Sequence, residues 1–176
     1  MLRPPPLPPV SSVLDVGCGI RPQPIVAANR YVGVDAHQPY IDRVSRDGGE
    51  FICADWEQAL RRFDDLEFDL VVALDFIEHL DRKAGNRFLR AARRVGRQVC
   101  IFTPLGSFPQ HYQPGEPDQW GMDGGHWQSH RSAWQPSDFP GWQITVHHGF
   151  HVVDANGRSL PQPIDAFWAL TERTDP

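Results

Sequence analysis

The residues with the clearest chemistry lie near the start of the chain, where an apolar run ends in the sequence VLDVGCG. Gly17 and Gly19 let the backbone turn tightly and approach a ligand closely at the end of a strand. A dinucleotide-binding motif of the form G-x-G-x-x-G would need glycine at position 22, which is Pro22. Asp15 also takes a place that is usually apolar in dehydrogenases. The spacing therefore argues against a nicotinamide dinucleotide as the ligand.

Two more carboxylates follow the next two apolar runs. Asp35 ends the run YVGVD, and an acid in that position can accept hydrogen bonds from both ribose hydroxyls of a nucleoside cofactor. Asp55 ends the following run and would lie beside an adenine amino group. Taken singly, Asp15 could satisfy backbone donors at a strand end, and Asp35 could cap a helix. Together with the glycine pair, the three acids favour a nucleoside-containing ligand.

Short apolar runs alternate with helical segments along much of the chain, a pattern typical of parallel strands that are buried on both faces. The alternation predicts right-handed crossovers and an open, doubly wound α/β sheet. Asp81 and Gly96 mark the two ends of the clearest helix. Strands are predicted at Val13–Val16, Tyr31–Val34, Glu50–Ala54, Phe68–Leu74, Val99–Thr103, Gln143–His147 and Ala166–Thr171. Helices are predicted at 22–29, 39–46, 56–63 and 81–95.

Four motifs occur in the order and with the spacing of a known family. VLDVGCG, Asp35, Asp55 and FDLVVALDFIEHL at residues 68–80 resemble the class I S-adenosylmethionine-dependent methyltransferases that act on small molecules, over nearly the whole chain. The resemblance implies a Rossmann-like, doubly wound sheet of seven mostly parallel strands with an antiparallel last strand. It also implies S-adenosylmethionine as the cofactor. The cofactor-binding residues that it implies are Asp15, Gly17, Cys18, Gly19, Asp35, Asp55, Trp56 and Asp75.

One position departs from the family pattern. Arg21 stands where the family usually has a third glycine in this loop, and Pro22 follows it. The departure puts in question how the loop beyond Gly19 meets the methionine end of the cofactor, but it leaves the cofactor class unchanged.

His79 is the candidate for acid–base chemistry. Methyl transfer from a sulfonium is an in-line displacement, for which the protein supplies alignment and the exclusion of water. A hydroxyl or amine acceptor can also need a group that takes up its proton. His79 follows the fourth predicted strand and precedes the long helix, so we predict that it is the general base. The alternative is that its ring packs or hydrogen-bonds locally at the start of that helix.

Residues 105–141 form a long segment rich in proline, glycine, tryptophan and histidine, with little periodicity. A segment of this length inside a compact domain is usually functional. Aromatic rings with polar tips suit a sugar-like or an aromatic acceptor. We predict that Trp127, His130 and Trp134 contact the acceptor. In the alternative, these tryptophans cover the edge of the sheet and stabilise the segment.

The chain is expected to have two parts, a proline-rich arm at residues 1–12 and a single methyltransferase domain at residues 13–176. No apolar run approaches the ~20 residues of a membrane span, and no secretory signal is expected at the N-terminus. Three widely separated cysteines indicate reduced thiols and a cytoplasmic protein. The sequence does not predict the oligomeric state.

Composition and motifs also narrow the substrate. The net charge of −5, together with the lack of the motifs of amino-directed and cytosine-C5 DNA enzymes, argues against nucleic acid. A small-molecule acceptor methylated at oxygen or nitrogen, such as a sugar-linked or lipid-linked compound, is expected instead. The alternatives are an RNA methyltransferase and a non-catalytic nucleotide-binding module with the same fold. No metal site is predicted, because convergent ligands are not evident among His126, His130, His147, His148 and His151.

Overall fold

Seven strands form one sheet at the centre of the fold. Along the chain they are Ser12–Val16 (β1), Arg30–Asp35 (β2), Glu50–Cys53 (β3), Leu70–Leu74 (β4), Val99–Pro104 (β5), Gln143–Val153 (β6) and Ser159–Leu170 (β7). Their order in space is β3-β2-β1-β4-β5-β7-β6. The first five strands pair in parallel, β7 is antiparallel to β5, and β6 is antiparallel to β7. The predicted seven-stranded, mostly parallel sheet with an antiparallel last strand is confirmed.

The strand order reverses between β1 and β4, which lie side by side although they are distant in sequence. The computed structural model describes residues 3–44, 49–154 and 157–174. Because parallel strands end at one edge of a sheet, the loops that follow β1 and β4 diverge there and leave a crevice. Leu14 and Val71 are fully buried in these two strands, so the crevice rests on a closely packed core.

Four α-helices accompany the strands in the part of the chain that the structure describes. They are Gln38–Val44 (α1), Trp56–Leu60 (α2), Arg82–Val95 (α3) and Gly125–Gln128 (α4). The prediction for α3 is confirmed: Asp81 caps the helix by accepting a hydrogen bond from the backbone N–H of Ala84 at 2.8 Å, and Gly96 follows its last residue. The predicted helix at 39–46 corresponds to α1, except that residues 45 and 46 lie outside the described residues.

The predicted helix at 22–29 is wrong, because this segment is irregular in the structure. Pro22 and Pro24 lack a backbone N–H, and each disfavours the helical conformation in the residue before it. Ile25 and Val26 nevertheless pack against an apolar cluster on one face of the sheet. Burial of those side chains therefore does not require helical periodicity here.

Residues 105–141 are tied to the sheet and to α3 at the two ends of the segment. Near its start, the N–H of Leu105 donates to the carbonyl of Asp165 in β7 at 2.8 Å. Near its end, Arg82 of α3 forms a two-pronged ion pair with Asp138 at 2.6 and 3.0 Å. The segment contains α4 and a 3₁₀ turn at Pro136–Asp138. Contacts to regular elements therefore fix a stretch that has little regular structure of its own.

The hairpin of β6 and β7 is longer than the two strands predicted for it. The pairing of the strands shifts between His147 and His151. Beyond the shift, the ring of His151 lies 4.8 Å from that of Phe108, measured between ring centroids, so the hairpin packs against the 105–141 segment.

The described part of the N-terminal arm lies against the sheet. Leu7 and Val10 pack on the same apolar cluster as the segment that follows β1, and the backbone N–H of Ser11 donates to Asp69 at 2.7 Å. Within the described ranges, no helix is long and apolar enough to cross a membrane.

Candidate active site

A cavity of about 430 Å³ lies at the carboxyl ends of β1 and β4, where the strand order reverses. The loop after β1 forms one wall, the turn after β4 forms another, and the 105–141 segment and the β6–β7 hairpin complete it. A smaller cavity of about 80 Å³ adjoins it at the end of β2. The residues that line both cavities are Gly17, Asp75, His79 and Gln128, so the two are parts of one crevice.

The glycine loop after β1 forms the wall between the two cavities. Gly17 has a φ of 77°, and its N–H donates to the carbonyl of Val34 at 2.8 Å, as does the N–H of Cys18 at 3.1 Å. A Cβ atom on Gly17 would lie 2.3 Å from Cδ2 of Phe76. A Cβ on Gly19 would meet no atom within 4 Å. Gly17 is therefore required by the packing of Phe76, whereas Gly19 borders open space in the crevice.

Asp35 lies at the end of β2 and lines the smaller cavity. One carboxylate oxygen accepts a hydrogen bond from the N–H of Gly19 at 3.0 Å, and the other accepts from the N–H of His37 at 2.9 Å. Burial raises the pKa of Asp35, and these hydrogen bonds act against the increase. The carboxylate thus orders the glycine loop and the start of α1, and each oxygen retains a lone pair for a ligand.

Asp15 lies within β1 and lines the larger cavity. Its carboxyl group is 2% exposed and accepts a hydrogen bond from the hydroxyl of Tyr31. Burial raises the pKa of Asp15 to about 7, although the hydrogen bond from Tyr31 lowers it. A cationic ligand in the cavity would favour the ionised form of this carboxyl group.

Asp55 and Trp56 line the smaller cavity together with Asp35. Asp55 caps α2 by accepting a hydrogen bond from the N–H of Gln58 at 2.9 Å through one carboxylate oxygen. The other carboxylate oxygen accepts no hydrogen bond from the described residues and is available to a ligand. Trp56 packs edge to face on Phe88 of α3, with 5.7 Å between ring centroids. The sequence expectation that these two residues flank an adenine fits this arrangement.

Asp75 follows β4 with a φ of 48°, a left-handed conformation that is uncommon for residues other than glycine. Its side chain lines both cavities. Removal of the carboxyl group from bulk water by the surrounding protein raises the pKa of Asp75 to about 7. The turn places Asp75 opposite the glycine loop, across the crevice.

Glu78 is a site residue that the sequence analysis did not identify. It is 2% exposed and lines the larger cavity, and its carboxylate accepts a hydrogen bond from the hydroxyl of Thr103 at 2.9 Å. Burial and the nearby Asp75 raise the pKa of Glu78 well above its usual range. Its backbone carbonyl also accepts the N–H of Arg131 at 2.7 Å. The sequence signal that could have identified it was an acid directly after the apolar pair Phe76 and Ile77 and directly before His79.

His79 lies in a 3₁₀ turn at Ile77–His79 and lines both cavities. Burial lowers the pKa of His79 to about 3, and the neighbouring His130 contributes in the same direction. The imidazole is therefore neutral near pH 7 and retains a lone pair. Its Nδ1 lies 3.4 Å from the carbonyl oxygen of Ser129.

The three residues predicted to contact an acceptor lie in different places. His130 lines the larger cavity, with its Nδ1 at 2.6 Å from the carbonyl oxygen of Phe108. Trp127 is 40% exposed and lines the smaller cavity. Trp134 has no exposed surface: its ring packs in the core, and its indole N–H donates to the hydroxyl of Ser132 at 2.8 Å. The prediction that Trp134 contacts the acceptor is corrected, because no ligand can reach it.

The residues of the crevice fit S-adenosylmethionine, whose methionine end carries a sulfonium, an ammonium and a carboxylate group, with a net positive charge, and whose other end is an uncharged nucleoside. Asp15, Asp75 and Glu78 line the larger cavity, so that part of the crevice is acidic. Gly19 leaves open space beside these carboxyl groups. Alanine, valine and tryptophan side chains line much of the smaller cavity, which suits a planar base.

A family model described as a methyltransferase domain matches residues 14–102, about half of the chain. No curated protein matches the chain in sequence. The fold, the crevice and the family match identify the chain as a class I S-adenosylmethionine-dependent methyltransferase. The chain belongs to the methyltransferase domain family.

Solved structures of low sequence identity share this fold. A SAM-dependent methyltransferase from Archaeoglobus fulgidus is 17% identical, with a TM-score of 0.56 over 92% of this chain and 86% of the other. DhpI in complex with SAH is 14% identical, with a TM-score of 0.58 over 94% and 78%. The N-terminal domain of EvdMO1 with SAH and D-fucose is 13% identical, with a TM-score of 0.57 over 93% and 76%.

Proposed function

We propose that the protein transfers the methyl group of S-adenosylmethionine to an oxygen or nitrogen atom of a small, polar acceptor of the sugar-linked or lipid-linked kind. The observation that carries the proposal is the two-part crevice. Its smaller part is bounded by residues suited to a nucleoside, and its larger part continues past Gly17 and Asp75 to the 105–141 segment. Such a crevice has room for a cofactor and for a second ligand beside it.

We assign the cofactor-binding roles from the position of each residue in the crevice. Asp35 binds the ribose hydroxyls, Asp55 and Trp56 contact the adenine, and Asp15 faces the methionine end beside the glycine loop. When bound, S-adenosylmethionine supplies the electrophilic methyl group. The protein aligns the acceptor with that group and keeps water out of the crevice.

The polar lining of the larger cavity supports a hydroxyl-rich acceptor. The side chains of Gln110, Gln119 and Gln128 lie around it, together with Trp120 and His130. Amide and imidazole groups donate and accept hydrogen bonds, as sugar hydroxyls do, and a tryptophan ring can stack on a sugar face. The presence of D-fucose in the EvdMO1 structure supports the same class of acceptor.

His79 is the residue that we assign to the acceptor's proton. Its ring lines both parts of the crevice, where the cofactor and the acceptor meet, and it is neutral at physiological pH. A neutral imidazole can accept a proton from a hydroxyl or an amine during the displacement.

Cys18 and Cys100 are free and buried, which supports a cytoplasmic location.

The test is a methyl-transfer assay with purified protein, labelled S-adenosylmethionine and a panel of sugars, sugar-linked lipids, catechols and amines. We expect a methylated product from a hydroxyl-bearing member of the panel, and no product with Gly17→Val. Binding of S-adenosylmethionine without turnover of any acceptor would instead identify a non-catalytic module. Methylation of RNA, with steeply salt-dependent RNA binding, would identify an RNA methyltransferase.

A further inference from the structure

Three metal-ligating side chains converge on the wall of the larger cavity. Glu78 and His79 come from the 3₁₀ turn after β4, and His130 comes from the segment after α4. One ligand atom from each lies within 4.8 Å of the other two. As a possible metal ligand, His130 was grouped in the sequence with other histidines of the C-terminal half. The fold instead pairs it with the turn after β4.

In both His79 and His130, one ring nitrogen faces a backbone carbonyl oxygen, which is the usual pattern in histidines that bind a metal. The Nδ1 of His130 lies 2.6 Å from the carbonyl oxygen of Phe108, so Nδ1 carries the proton and Nε2 carries the lone pair. In His79, Nδ1 likewise faces a carbonyl oxygen, that of Ser129 at 3.4 Å. Histidines that bind a metal usually donate their other N–H to a backbone carbonyl or a carboxylate in this way.

The carboxylate of Glu78 has an oxygen that no side chain satisfies. Oε2 accepts the hydroxyl proton of Thr103 at 2.9 Å. Oε1 is buried and has no hydrogen-bond partner within the described part of the chain. A buried carboxylate oxygen without a partner is costly, and coordination of a cation would satisfy it.

We propose that Glu78, His79 and His130 bind one divalent transition-metal ion, such as Mn²⁺, Co²⁺ or Zn²⁺. Two imidazoles and one carboxylate suit these ions better than Ca²⁺ or Mg²⁺, which prefer oxygen ligands. Three evenly spaced atoms that bind one ion at about 2.1 Å are at most about 3.6 Å apart, so a distance near 4.8 Å must shorten by about 1 Å on binding. Asp75 lines the same cavity and is available as a further ligand.

The open coordination positions of this ion face the cavity assigned to the acceptor. Metal-binding itself is independent of the proposed function, but the role of the ion rests on that function. In that role, the ion binds an oxygen of the acceptor and holds it toward the cofactor. The lone pair of His79 then serves as a ligand and no longer takes up the acceptor's proton. The ion instead lowers the pKa of the bound hydroxyl, and its proton passes to solvent as the acceptor oxygen attacks the methyl group.

Titration of the chelator-stripped protein with Co²⁺ tests the site directly, because the visible spectrum of the ion changes when nitrogen ligands bind. We expect one Co²⁺ per chain in the unaltered protein. Glu78→Gln and His130→Ala should each weaken binding by more than the roughly 10- to 100-fold typical of residues that only support ligands. His148→Ala is the matched control, since His148 is exposed and pairs with Asp165 on the hairpin at 2.7 Å.

Two further measurements keep this test decisive. Circular dichroism establishes that each variant is folded, and calorimetry with S-adenosylmethionine reports on the cofactor site separately. Failure of the unaltered protein to bind Co²⁺, Mn²⁺ or Zn²⁺, or equal binding by the folded variants, would overturn the metal site. Metal binding that is lost in both variants while no acceptor is methylated would leave the metal site standing and count against the proposed function.

Discussion

The two sides of the crevice are built in different ways. The cofactor side consists of residues that directly follow parallel strands, and backbone hydrogen bonds such as that from Gly17 to Val34 hold it in place. The acceptor side consists of the 105–141 segment and the β6–β7 hairpin. Two of its side chains, His130 and Gln110, are held by hydrogen bonds to single carbonyl groups, those of Phe108 and Gln128.

This difference in construction matches the division between cofactor binding and acceptor binding. A sheet edge fixes the cofactor residues as a consequence of the fold, so many proteins with this fold can share that side. The acceptor side can vary without disturbing the sheet, as is usual for functional loops on a rigid scaffold. Trp134 is the exception, because it belongs to the acceptor segment by sequence and to the core by position.

Gly17→Val should have the largest effect, the loss of S-adenosylmethionine binding. Valine would be strained at a φ of 77°, and its Cβ would lie 2.3 Å from Phe76. The collision would displace Phe76 and distort the loop between the two cavities. Calorimetry and thermal melting measure this, and Gly17→Ala serves if the valine variant does not fold. Gly141→Ala is the matched control, because Gly141 has a φ of 78° away from the crevice and a Cβ there would meet no atom within 4 Å, which leaves only the strain of ~1–2 kcal/mol of a left-handed residue. Normal binding by Gly17→Val would remove the glycine loop from the cofactor site.

Trp134→Ala should lower the free energy of unfolding by about 3–5 kcal/mol, the usual cost of removing a fully buried large aromatic side chain. Arg82 also loses its contact with the indole face, where its guanidinium carbon lies 4.0 Å from the ring centroid. Trp127→Ala, at an exposed position of the same segment, should change stability by less than about 0.5 kcal/mol. Urea denaturation of both variants measures the contrast. Equal effects would show that the segment is not divided into a core part and a site part.

Asp15→Asn should change how stability depends on pH. The folded-state pKa of Asp15 is about 7, whereas the unfolded value is about 3.9. The folded protein therefore holds a proton that the unfolded chain has lost. The free energy of unfolding of the unaltered protein, minus that of Asp15→Asn, should be largest near pH 4 and fall as the pH rises to about 7. The fall is about 1.4 kcal/mol for each unit by which folding raises the pKa of Asp15. Urea midpoints of both proteins across this range measure it, and an advantage that grows with pH would contradict it.

Asp35→Ala should weaken S-adenosylmethionine binding by roughly 10- to 150-fold, since a hydrogen bond to a charged group contributes about 1.5–3 kcal/mol. Calorimetry on the folded variant measures the affinity. Asp42→Ala is the control, because Asp42 lies exposed on α1, where it accepts a hydrogen bond from the side-chain amide of Gln38 at 2.6 Å. Unchanged affinity in Asp35→Ala would rule out the ribose assignment.

Trp127→Ala and His130→Ala should have the smallest effect, on turnover of the acceptor and not on cofactor affinity. In assays without added transition metal, each removes a contact worth on the order of 1.4 kcal/mol, which corresponds to about a tenfold loss in kcat/KM. Melting, cofactor affinity and turnover should be measured on the same preparations. A loss of cofactor affinity in proportion to a loss of stability would assign both residues to the structure and not to the acceptor.

The sequence predicted the sheet and the cofactor side because both depend on local patterns. Apolar runs indicated the strands, and the residues that follow each run had to meet at one edge once the strands were parallel. The wrong helix at 22–29 came from reading apolar residues as helical where Pro22 and Pro24 oppose that conformation. In this case the local signal was present and was given too little weight.

The acceptor side depended on contacts that no local pattern contains. Trp127 and Trp134 are the same residue type in the same segment, and only packing against α3 separates the exposed ring from the buried one. Glu78 and His130 are far apart in sequence, and they meet because the N–H of Arg131 bonds to the backbone of Glu78. Periodicity reports which face of an element is buried. It does not report which distant segment covers that face, because the tertiary packing energy of the whole chain decides that.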